Sequence, residues 1–215
     1  MKSILFEVNV SQVTCNENVA GPYPFIWEVN VPLLPAYSVE YYSIKVEDVS
    51  DISPGDEDID GDKIIVYSEF ELYEELKSVL IELHYHGIKD YSALFPKVYN
   101  PKLRDRLGQF YEEAEKNFEQ GSWLSFTLMC GAIFEGMLYD KLKPITFEEN
   151  KLETLIDNAL KKGIINKKQS DIMTTVRRDR NLVHARNAKK QYVSRKAAME
   201  IRTTLDILIK DFSNM

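Results

Sequence analysis

A chain of 215 residues, 44% hydrophobic and 28% charged, can bury one sizeable core or a helical domain with a small companion. No apolar run approaches the roughly 18–20 residues of a membrane span, and Glu7 interrupts MKSILFEVNV before a secretory core could form; a cytoplasmic protein without membrane contact is expected. The net charge of −7 conceals a split: residues 1–100 carry 6 Lys+Arg against 18 Asp+Glu, a net of −12, and residues 101–215 carry 21 against 16, a net of +5. Such asymmetry implies two domains with different partners.

The first 66 residues read as strands. ILFEVNV (4–10) aligns Ile4, Phe6, Val8 and Val10 on one face, and FIWEVNV (25–31) aligns Phe25, Trp27, Val29 and Val31. Period-two alternation of this kind marks half-buried strands. The shared string EVNV suggests similar places in one sheet, although two short matches do not make an internal repeat. SVEYYSIKVEDV (38–49) and KIIVYS (63–68) read as further strands, while Pro22, Pro24, Pro32 and Pro35 limit central pairing. Cys15 and Cys130 offer neither a disulfide framework nor a metal-site spacing, so both are expected as reduced thiols.

SPGDEDIDGD (53–62) places Asp56, Asp58, Asp60 and Gly61 like the first half of an EF-hand loop. The twelfth position, which should be a bidentate acid, is Tyr67, and the segment reads as an acidic hairpin loop. No metal or other cofactor is expected. From Ser68 the period changes. Ser68 and Glu71 suggest a capping box, followed at helical spacing by Phe70, Tyr73, Leu76, Val79, Leu80 and Leu83, with Gly87 as the stop. His84 and His86 then fall near a helix C-terminus. YSALFPKVYNP (91–101) reads as a connector, with Asn100-Pro101 as a boundary.

Five helices are expected beyond it: about 102–120, 122–143, one capped by Thr146 and Glu149, one capped by Asn166 and Gln169, and one starting at Ser194. The second is apolar on most sides and should be buried. The last carries a core stripe of Ala198, Ile201, Leu205, Leu208 and Phe212. The resulting fold class is α+β: a small β-rich acidic domain (1–66), a helix and connector (67–100), and an all-α up-and-down bundle (101–215).

The fourth helix carries TTVRRDRNLVHAR (174–186). Within 161–196 there are 12 basic residues and 2 acidic ones, a net of +10. If the helix is regular, Arg177 and His184 differ by only about 20° around it, with Arg180 and Asn181 flanking them. Arginine donates in pairs to phosphate oxygens, and histidine exchanges protons near neutral pH. A phosphate-handling face, a solvated basic surface and a helix-to-helix stitch are all open readings at this level.

The pattern Arg177-x-x-Arg180-Asn181-x-x-His184 resembles the signature of the HEPN superfamily (higher eukaryotes and prokaryotes nucleotide-binding), an arginine followed after four to six residues by a histidine, often with an asparagine between. The gap is six residues from Arg177, five from Arg178, and too short from Arg180. Residues 111–142 and 152–185 are similar to the two helical hairpins of a bacterial branch of unknown function, with Glu135 matching an acid on the second helix. Ala185 stands where related motifs often carry proline or glycine.

The resemblance covers about 101–213 and implies a helical bundle that dimerises, with RNA or a nucleotide as partner. Many members are metal-independent endoribonucleases, in which Arg177, Asn181 and His184 would be catalytic and Arg178, Arg180 and Glu135 supporting. Other members bind without cleaving. The acidic N-terminal domain would then be a sensor or a docking surface for a protein partner or inhibitor. A plain protein–protein interaction domain is the reading that needs no phosphate at all.

Overall fold

In a computed structural model the chain divides into two compact units, Met1–Asp90 and Tyr91–Met215. The structure describes residues 1–19, 21–46, 57–69, 71–72, 77–144, 146, 150–187 and 189–214. Among these the fold is α+β, with seven strands followed by five α-helices. No described helix is long and apolar enough to cross a membrane.

The first unit contains β1 (Lys2–Asn9), β2 (Val13–Glu17), β3 (Phe25–Asn30), β4 (Tyr37–Val46), β5 (Glu57–Asp60), β6 (Lys63–Ser68) and β7 (Ser78–Ile88). They form two antiparallel sheets, ordered β1-β7-β4 and β2-β3-β6-β5. The period-two faces are buried as the alternation requires: Phe6 and Val8 on β1, Trp27 and Val29 on β3, Ile64 and Val66 on β6. The two EVNV strings nevertheless lie in different sheets, because β1 pairs with β7 whereas β3 pairs with β2 and β6.

Part of the acidic 53–62 segment is strand rather than loop. Asp58 and Asp60 on β5 stand opposite Ile65 and Lys63 on β6, and the chain reverses at Gly61, whose φ of 62° favours glycine. Residues 51–56, including Asp56, lie outside the described residues.

The helix expected over 68–87 is a correction. Residues Ser78–Ile88 form β7, the central strand of the first sheet, paired with β1 and β4 on its two sides. Val79, Ile81 and Leu83 are fully buried and alternate with Leu80, Glu82 and His84, so the same letters satisfy a period of two. Two flanking strands reward that period with a double ladder of backbone hydrogen bonds, which overrides local helical spacing. Phe70 and Tyr73–Leu76, which carried much of the helical pattern, lie outside the described residues. His84 and His86 are consequently on one strand face: His84 stacks on Tyr41 with ring centroids 4.2 Å apart, and His86 pairs with Glu40.

The second unit begins at Tyr91 rather than at the Asn100-Pro101 boundary, since the 3₁₀ turn Ser92–Leu94 packs on the first helix. The helices are α1 (Pro101–Glu119), α2 (Trp123–Leu142), α3 (Leu152–Lys161), α4 (Lys167–Asp179) and α5 (Arg195–Asn214). Asn100 caps α1, accepting from Leu103 N–H, with Pro101 at the first helical position. The capping box of α4 is formed: Gln169 N–H donates to Asn166 Oδ1 at 2.9 Å, and Asn166 N–H to Gln169 Oε1 at 2.8 Å. The first described residue before α3 in cap position is Lys151, not Thr146, and Glu149 lies outside the described residues.

Helix α2 is the centre of this unit, touching α1, α3, α4 and α5. Its Phe126, Cys130, Ile133, Phe134, Met137 and Leu138 form one broad buried face. The Cys130 thiol is fully enclosed, and burial pushes its pKa well above the ordinary thiol value. The α5 stripe Ala198, Ile201, Leu205, Leu208 and Phe212 is buried as expected. Polar ties run beside it: Tyr91 donates to Glu115 at 2.8 Å and Tyr111 to Asp206 at 3.0 Å, while the Arg202 guanidinium lies 4.5 Å from the Phe118 ring centroid.

A Cβ at Gly108 would come within 2.8 Å of the Ser92 backbone nitrogen, so α1 and the Ser92–Leu94 turn meet at van der Waals limit. Gly108→Ala is expected to destabilise by about 1–2 kcal/mol, the overpacking outweighing the ~1 kcal/mol propensity gain. Gly87→Ala, with open space around it, should be neutral or slightly stabilising. Thermal unfolding of both variants checks the pair.

Burial raises the Asp206 carboxyl pKa, against the lowering effects of Tyr111 and Arg202. A carboxyl raised in the folded state binds protons more tightly there, so its contribution to stability falls as pH climbs above about 3.8. Relative to wild type, Asp206→Asn should therefore be more stable at pH 7 than it is at pH 4, measured as the difference in unfolding midpoints.

Candidate functional site

The arginine-rich segment is built by the end of α4. The helix is regular to Asp179, then tightens into a 3₁₀ turn, Arg180–Val183, and His184 leaves it in an extended conformation (φ −83°, ψ 118°). Asn181 holds this exit. Its carbonyl accepts from the His184 backbone N–H at 3.2 Å and from the Asn187 side-chain amide at 2.6 Å. A second 3₁₀ turn, Ala185–Asn187, follows. The helical projection that placed Arg177 and His184 about 20° apart therefore does not apply, because α4 ends two residues past Arg177. The i→i+3 pattern and the Asn187 amide satisfy carbonyls that a longer helix would have bonded internally.

Each arginine has its own direction. Arg177 Nη1 meets Glu153 Oε2 of α3 at 2.9 Å, and Arg180 Nη1 meets Glu135 Oε2 of α2 at 2.9 Å. The two guanidiniums are thus committed to acids on different helices. Arg178 is more open, its side chain 68% exposed, with Thr175 Oγ1 at 3.5 Å and Asp179 Oδ1 at 4.0 Å from its nitrogens. Asn181 and His184 are exposed, and the His184 ring makes no hydrogen bond or ion pair among the described residues.

The Arg180 stem crosses α2 at Gly131, where a Cβ would sit 2.9 Å from Arg180 Cδ and 3.2 Å from Val176 Cγ1. A glycine here lets the arginine lie flat on the helix and reach Glu135, one turn along the same face. Both ion pairs are part-exposed, so each is worth only about 0–1 kcal/mol and serves direction more than stability.

Two grooves open beside the segment. Arg180 and Glu135 border one of about 460 Å³, walled by Leu107, Phe110 and Tyr139. Arg178, Asp179 and Leu182 border the other, of about 350 Å³, together with the chain entering α5. Burial raises the Asp179 carboxyl pKa, and Arg178 works against that shift. Among the described residues no group of three or more His, Cys, Asp or Glu side chains is disposed to hold a metal ion.

Chemically, the segment offers an accessible imidazole, an open guanidinium and two guanidiniums already oriented by carboxylates. Glu135, expected from the resemblance as a supporting acid, is the partner of Arg180, the arginine too close to His184 to define the pattern. Gly131, Glu153 and Asn187 were not singled out by the sequence. The spacing Gly131-x-x-x-Glu135 on a buried helix was the one available signal, since it marks a small residue and an acid on one face.

Comparison of the chain with protein-family models, with curated proteins and with solved structures finds no match.

A double-mutant cycle on Glu135→Gln and Arg180→Gln should give a coupling of about 0.2–1 kcal/mol, shrinking in high salt. Denaturant unfolding of the four proteins at low and high ionic strength measures it; a coupling above about 2 kcal/mol would mean the pair is effectively buried.

Proposed function

We propose that the chain is a metal-independent endoribonuclease of the HEPN type, acting as a homodimer in a toxin or antiviral-defence role. The single observation that carries this reading is the exposed, unengaged His184 imidazole on a strongly basic segment. In the proposed reaction the ribose 2′-oxygen attacks the adjacent phosphorus, the O2′–P bond forms and the P–O5′ bond breaks. The products are a 2′,3′-cyclic phosphate and a 5′-hydroxyl. His184 moves a proton at the attacking or leaving oxygen, an arginine steadies the charge on the non-bridging oxygens, and Asn181 orients either partner. The arginine is Arg177 or Arg178, both within the family spacing: Arg177 is held by Glu153, whereas Arg178 is more open. The acidic N-terminal unit is the natural docking surface for a regulator or an inhibitor.

A second reading has its own support. Because Arg177 and Arg180 are paired with Glu153 and Glu135 on two different helices, a non-catalytic module for dimerisation and RNA or nucleotide binding fits the same geometry.

Incubating purified protein with labelled single-stranded RNA and total tRNA in EDTA separates the two. Wild type should leave 2′,3′-cyclic phosphate ends, and His184→Ala should slow cleavage by about 10²–10⁴-fold. Arg177→Ala and Arg178→Ala, run beside it with light scattering to follow dimerisation, identify the arginine by a loss of about 10²–10³-fold. A well-folded dimer that retains RNA without cutting it would replace the nuclease with the binding module.

A further inference from the structure

The groove beside Arg178 carries more information than its volume. One wall is the end of α4 and the turn after it, through Arg178, Asp179 and Leu182; the other is the segment Lys190–Ala197 that leads into α5. Its apolar surfaces are Leu182, Ala197 and the buried Val193. Its rim is cationic and aromatic: Arg178 on one side, Lys190 and Tyr192 on the other, with Tyr192 63% exposed. Lys189, Arg195 and Lys196 are exposed in the adjoining chain. Among the described residues Asp179 is the one carboxylate lining it; its side chain is mostly covered and lies 4.0 Å from the Arg178 guanidinium, which leaves the rim positive.

Three features therefore coincide. The volume of about 350 Å³ falls in the range of sites that enclose small planar ligands. An exposed tyrosine lines the same groove as Leu182, Val193 and Ala197, a combination of aromatic and apolar surface on which bases stack regardless of sequence. Cations stand on both walls of the groove, at the edge of a segment of net +10, the arrangement that tracks a phosphodiester backbone. A purely acidic protein surface would use the cations but has no need of an exposed tyrosine in a groove lined by Leu182 and Val193.

We propose that this groove is a subsite for one nucleotide of single-stranded RNA, its base on Tyr192 and its flanking phosphates on Arg178 and Lys190. The subsite rests on the RNA part of the proposed function and not on cleavage. It shares Arg178 with the Arg177–His184 segment, so it holds the strand directly beside the proposed reaction centre, and Tyr192 and Lys190 grip the strand without taking part in bond breaking. Its tolerance of base identity makes it a grip on unpaired RNA in general, and a duplex cannot enter it because the faces of its bases are covered by their stacked neighbours.

The test uses a fluorescently labelled 2′-O-methyl oligoribonucleotide, which lacks the attacking hydroxyl and so reports binding without cleavage. Anisotropy titrations of the full chain should show affinity reduced about 5- to 100-fold in Tyr192→Ala and nearly retained in Tyr192→Phe. Lys190→Ala should weaken binding and lower the slope of log affinity against log salt by about 0.7. Tyr192 is exposed, so its variants should unfold with wild-type midpoints, which excludes a folding defect as the cause. Wild-type affinity in Tyr192→Ala overturns the proposal, as does equal affinity for a duplex of the same length. A polyglutamate peptide that binds where the oligonucleotide does not would overturn it in favour of an acidic protein partner. The nuclease reading is judged separately with cleavable RNA. Tyr192-dependent binding without cleavage keeps the subsite and removes the nuclease, whereas cleavage with Tyr192-independent binding keeps the nuclease and removes the subsite.

Discussion

The second unit depends on one constraint: a twenty-residue helix with apolar side chains on nearly every side has to be enclosed. Phe126, Cys130, Ile133, Phe134, Met137 and Leu138 form one broad buried face, and leaving their large apolar side chains in water would cost roughly 1.5–3 kcal/mol each. No single partner can cover such a helix, so α1, α3, α4 and α5 all pack on it. Small residues then decide where neighbours come close. Gly131 admits Val176 and the Arg180 stem, and Gly136 admits Leu107, whose Cδ2 would lie 2.7 Å from an added Cβ. The placement of the basic segment is thus a by-product of covering α2.

The helical half was readable because its signals are local. Asn100 with Pro101, and Asn166 with Gln169, fix helix starts through side chains within three residues, and the α5 stripe repeats at 3.6-residue spacing. The β7 segment was not readable in the same way. Val79, Leu80 and Leu83 fit a helix, while Val79, Ile81 and Leu83 fit a strand, and the choice depends on β1 and β4, whose partners stand 33–83 positions away, outside any local window. The missing helical continuation past Asp179 has a similar cause. Neither glycine nor proline stands there, and the exit is set by a contact between Asn187 and the Asn181 carbonyl together with the reach of Arg180 to another helix.

For the site, residue types and neighbourhood were legible, and geometry was not. The sequence placed Arg177, Arg178, Arg180, Asn181 and His184 in one short basic segment, and the structure keeps them there with His184 at the surface. It also assigns each of two arginines to a carboxylate that the spacing did not reveal. A guanidinium already bound by a carboxylate is oriented at little further entropic cost, yet must exchange or share that partner before it can grip a phosphate. That exchange is electrostatically inexpensive here because both pairs are part-exposed.

The flattened crossing of Arg180 over Gly131 has an evolutionary corollary. Substituting alanine at position 131 lifts the arginine from its track, and shortening the side chain at position 180 leaves a gap above the glycine and an unanswered carboxylate at 135. The three positions should therefore drift together or not at all. In distant relatives, a small residue four places ahead of an acid on the central helix, matched by an arginine just after the fourth helix, would be a more durable marker of common descent than the spacing of Arg177 to His184, which rests on a turn that insertions can readily reshape.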